Sequence, residues 1–80
     1  MMKFEAVNDR IAVATNSLKP VRIERNVTGP YDRNTWMIYM PEGDLFGNFD
    51  PVGPFDSFDD AKRNAEMEVG MMIKYESEVL

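Results

Sequence analysis

The sequence predicts a single small α+β domain over residues 1–80, ordered α-β-β-β-α. A three-stranded antiparallel sheet would carry both helices packed on one face. Three observations predict this. Apolar residues recur at three- and four-residue steps near both ends of the chain. In the middle they alternate with polar residues. Eighty residues that are 44% hydrophobic, with no cysteine, suit one core held without disulfides.

The first element reads as a helix. Phe4, Val7, Ile11, Ala14 and Leu18 fall on one stripe, and Glu5, Asp9 and Arg10 lie off it. Leu18-Lys19-Pro20 closes it, because the residue before proline is pushed out of the helical region. A strand over Ile11 to Thr15 competes with that reading, since Ile, Val and Thr favour strands. Val21, Ile23, Arg25 and Val27 then alternate with Arg22, Glu24 and Asn26, which predicts the first strand. Trp36 to Met40 is apolar on both faces and belongs in the centre of the sheet. Leu45 to Phe49 reads as the third strand, with Pro41-Glu42-Gly43 as the turn before it. Pro51 to Pro54 reads as a connection. Ser57, with Asp60 three residues later, resembles a capping box opening the last helix. Its stripe is Phe58, Ala61, Ala65, Val69, Met72 and Ile73, running through Gly70.

Composition narrows the function. No histidine and no cysteine are present, so the usual proton shuttle, thiolate metal sites and cysteine nucleophiles are all missing. Ser17, Ser57 and Ser77 have no histidine base to activate them. Asn48, Asp50, Gly53, Asp56 and Asp59 fit some positions of a calcium-loop template, but Val52 occupies a ligand position and the last acid is a short Asp. The expectation is a non-enzymatic protein with no cofactor and no metal. No apolar run is long enough for a secretory signal or a membrane span, so the expected location is cytoplasmic with no membrane partner.

Charge is unevenly placed. The net charge is −5. Residues 1–33 carry a balance of +2, whereas residues 34–61 hold six acids and no cation: Glu42, Asp44, Asp50, Asp56, Asp59 and Asp60. A negative edge of this kind attracts basic partners and speeds their encounter. The same acids also serve as turn formers and helix caps. Seven methionines exceed what a small core needs, and Met67 and Met71 fall off the core stripe, giving a second candidate surface for partner binding.

The order of elements, together with Gly29-Pro30, Trp36 and the run Ser57, Ala61, Lys62 and Ala65, resembles the double-stranded RNA-binding domain. The resemblance implies that family's α-β-β-β-α fold. It also implies an RNA-binding surface, for which Arg33, Lys62 and Arg63 are the available cations. The family's paired lysines are replaced by Phe58 and Asp59, and its loop histidine by Asp32, so the RNA contacts are not matched.

The lead expectation is therefore an acidic protein-interaction module whose partner presents a basic surface. By size and charge it is similar to phage or mobile-element inhibitors that block the nucleic-acid-binding surface of a host defence complex. Nucleic acid itself is not the expected partner. The alternatives are a divergent double-stranded RNA binder and a small structural subunit. Either a monomer or a homodimer fits these readings.

Overall fold

The computed structural model of the chain describes residues 2–44 and 46–69. Five strands form one sheet: β1 (Phe4–Ala6), β2 (Ile11–Ala14), β3 (Arg22–Arg25), β4 (Trp36–Tyr39) and β5 (Val52–Phe55). Each pairs antiparallel with the next, so the order in the sheet is the order in the chain. One helix follows, α1 (Phe58–Val69). The α+β class holds. The predicted α-β-β-β-α order, with three strands and two helices, does not, and with it falls the likeness to the double-stranded RNA-binding domain.

The N-terminal helix is replaced by the β1–β2 hairpin. Val7 donates its N–H to the Ile11 carbonyl at 2.8 Å. Asn8 Oδ1 accepts from the N–H groups of Arg10 and Ile11, at 2.8 and 3.0 Å, which fixes the turn. The apparent helical stripe has no counterpart in space, since Val7 is 62% and Leu18 50% exposed. Strand-favouring Ile11 and Val13, joined to a side-chain-locked turn, outweigh that periodicity.

The two middle strands form where the alternation places them. Ile23 pairs with Ile38 and Arg25 with Trp36. β4 lies between β3 and β5, and its neighbours Met37 and Ile38, on opposite faces, are each 1% exposed. The predicted third strand is displaced. The described residues 46–49 are turn and loop, and the strand is Val52–Phe55, within and beyond the predicted connection. The register shifts between Trp36 and Ile38, and Gly53-Pro54 forms the bulge. Proline is tolerated there because β5 is the edge of the sheet.

The core lies between the sheet and α1, which packs over β3, β4 and β5. Met2, Val21, Ile23, Ile38 and Met40 are buried together with Ala61 and Ala65, whose small side chains let the helix approach the sheet closely. Phe58 joins the two ends of this layer. Its ring meets Phe4 at 6.0 Å and Trp36 at 5.4 Å, both edge-on. Trp36 thus packs beneath one helix instead of two. Ser57 caps that helix, its Oγ accepting the Asp60 N–H at 3.0 Å. The predicted continuation through Gly70 to Ile73, the rest of the chain to residue 80 and the candidate Met71 lie outside the described residues.

Candidate interaction surface

The acidic residues fall around β5 and the loop that leads into it. Gly43 donates its N–H to the Met40 carbonyl at 2.9 Å, closing a turn with Pro41 and Glu42 at its centre. Asp44 then organises the chain from Phe46 to Asn48. Its Oδ1 accepts from the N–H groups of those two residues, at 2.8 and 2.9 Å, and its own N–H donates to the Asn48 carbonyl at 2.9 Å. Lys19 Nζ donates to the Asp44 carbonyl at 3.3 Å, tying the loop to the β2–β3 connection. Asn48 Oδ1 in turn accepts the Asp50 N–H at 3.1 Å. The Phe49 ring lies against Gly43, where a Cβ would come within 3.1 Å of Cζ.

This pinned loop displays Phe46, which is 90% exposed. Leaving a Phe ring in water forgoes about 1.5–3 kcal/mol of burial. Sequence reasoning missed this residue because it placed Phe46 inside a strand. The signal that could have found it is Gly47 with Asp44 and Asn48 on either side, a run of turn formers unsuited to a strand.

The predicted acids separate into three groups. Asp44 is spent on the loop backbone. Asp60 pairs with Arg63 at 3.4 Å. Glu42, Asp50, Asp56 and Asp59 are exposed and make no ion pair among the described residues. Asp50 and Asp56 lie beyond the two ends of β5, so the acidic edge is also an edge of the sheet. β5 occupies the middle of the calcium-loop template, setting those two candidate ligands apart along an extended strand.

The alternative site residues are not brought into one cluster. Met67 is 76% exposed on α1. Arg33 is exposed in the β3–β4 connection, while Lys62 and Arg63 sit on α1, Arg63 already paired. An apolar groove of about 310 Å³ opens where α1 stops short of β1 and β2, lined by Phe4, Ala6, Ala12, Trp36 and Phe58. Its only carboxylate, Asp9, is 3.8 Å from Arg25 Nη2. No helix among the described residues is long and apolar enough to cross a membrane. No protein-family model, curated protein or solved structure matches this chain.

Proposed function

We propose that the chain is a non-enzymatic protein-binding module. It engages a basic surface of its partner through the β4–β5 loop and the acidic edge of β5. The observation that carries this reading is Phe46, held in water on a loop that Asp44 fixes, in a β4–β5 segment that also carries Glu42 and Asp50, exposed and without an ion pair among the described residues. An aromatic anchor within a charged rim is the usual anatomy of an energetic centre in a protein interface. The division of labour follows from the physics. Glu42, Asp50 and Asp56 steer the encounter, and Phe46 supplies retention once water is expelled.

Affinity capture from the native host with three baits tests the reading: wild type, Phe46→Ala, and a variant carrying Glu42→Gln, Asp50→Asn and Asp56→Asn. Asp44 is left intact because the loop depends on it. A partner retained by wild type should be released as salt rises. It should be lost from Phe46→Ala by about thirtyfold or more, the cost of a 2 kcal/mol anchor. Equal retention by all three baits would contradict the reading.

A further inference from the structure

The groove beside α1 follows from what the sequence puts on one side of β1 and β2. Alternation along β1 sends Phe4 and Ala6 to the α1 side of the sheet, and the register sets Ala6 directly opposite Ala12. The helix packs over β3, β4 and β5 and leaves these two strands uncovered. Two facing alanines are too short to fill the space. A groove of about 310 Å³ results, with Phe4, Trp36 and Phe58 as its aromatic walls. Phe58 meets both other rings edge-on, at 6.0 and 5.4 Å, which fixes the walls against one another. The polar groups at its mouth come from the β1–β2 turn. Asn8 commits its Oδ1 to two backbone N–H groups of that turn. Asp9 carries the one charge of the lining, and its side chain is 83% exposed. Arg25 Nη2 stands 3.8 Å from Asp9 Oδ2, too far for a hydrogen bond, while its Nη1 is held by Asn34. The carboxylate is therefore open to a further donor.

We infer that this groove binds a small aryl-alkyl ammonium ion, with its ring among Phe4, Trp36 and Phe58 and its ammonium on Asp9. Three features select that class. Walls and floor are apolar, so the buried part of the ligand is hydrocarbon, and an aromatic ring gains edge-to-face contacts that an aliphatic chain does not make. The single lining charge is negative, and an ammonium donates charge-assisted bonds to a carboxylate. The volume stands at the lower end of the roughly 300–1,000 Å³ of small-molecule sites, which suits one ring on a short chain. Because Asp9 is exposed, the ion pair contributes selectivity more than affinity. A ligand of about ten heavy atoms then binds at about millimolar strength. None of Glu42, Phe46, Asp50 and Asp56 lines the groove, so this inference stands apart from the proposed partner surface.

Trp36 is the only tryptophan, so its fluorescence reports on the groove directly. The test is a titration of the full chain at neutral pH and constant ionic strength with three probes. Phenethylammonium has both ring and charge, 3-phenylpropionate keeps the ring and reverses the charge, and butylammonium keeps the charge without the ring. Phenethylammonium should give a saturable change, and the other two should bind at least about fivefold more weakly. Asp9→Asn should bring phenethylammonium level with 3-phenylpropionate, with melting unchanged because that carboxylate is exposed. Ala6→Leu fills the groove from an exposed position on β1 and should abolish saturation while the amide spectrum of the other strands is retained. Absence of saturation by phenethylammonium, equal affinity for either other probe, or wild-type affinity in Asp9→Asn would overturn the inference. So would either competing occupant. Cross-peaks between the Trp36 indole and residues 70–80 in the free protein would mean that the chain fills its own groove. A sedimentation coefficient that rises with concentration in wild type and not in Ala6→Leu would mean that a second copy does.

Discussion

A Cβ placed on Gly53 would lie 2.8 Å from the Trp36 carbonyl oxygen and 2.9 Å from Met37 Sδ, and the residue has a φ of +140°. Both the space and the backbone there exclude a side chain. Gly53→Ala should therefore cost at least about 2 kcal/mol, since strain of this kind alone runs to about 1–3 kcal/mol. The urea midpoint measures it, and an unchanged midpoint would mean that the bulge is absent. Trp36 lies on the neighbouring strand, β4. Its ring is half-buried against Phe58. Trp36→Ala should cost about 3 kcal/mol, the low end for truncating a core aromatic. A midpoint equal to that of wild type would place the ring in solvent.

Among the elements, the β1–β2 hairpin depends most on a single side chain. Asn8→Ala removes the acceptor for two N–H groups and should cost about 1–2 kcal/mol. Faster amide exchange at Arg10 and Ile11 would report it, and exchange as slow as in wild type would show that the turn holds without Asn8. The hairpin was half legible in the sequence. Ile11, Val13 and Thr15 favour a strand, but Phe4, Val7, Ile11, Ala14 and Leu18 also satisfy a helical period over the same residues. Which reading wins depends on the Asn8 bonds and on pairing with β3, neither of which is visible in a local pattern. β3, β4 and the start of α1 were legible because alternation, two-faced apolarity and a capping serine each have one structural solution. β5 was not, since Pro51, Gly53 and Pro54 suit a strand only at a sheet edge, and the edge is set by the fold as a whole. The acids were legible as a group. Their division into a loop staple at Asp44, a helix-bound Asp60 and unpaired Glu42, Asp50, Asp56 and Asp59 depends on hydrogen bonds and ion pairs the sequence does not display.

At the scale of the whole molecule, the meander separates charge. Arg10, Arg22 and Arg25 stand on β3 and in the β1–β2 turn, each ion-paired, while Asp50 and Asp56 flank β5 at an edge of the sheet. Proline, a bulge and flanking carboxylates also guard β5 against pairing with another strand. The partner is thus expected to meet side chains at this edge instead of adding a strand to it. Once a partner is in hand, association and dissociation rates at two salt concentrations test the central claim most directly. The variant with Glu42→Gln, Asp50→Asn and Asp56→Asn should associate more slowly than wild type and lose most of its salt dependence, with little change in dissociation. Phe46→Ala should associate at the wild-type rate and dissociate at least about thirtyfold faster. Rates for both variants indistinguishable from wild type at both salt concentrations would contradict the account.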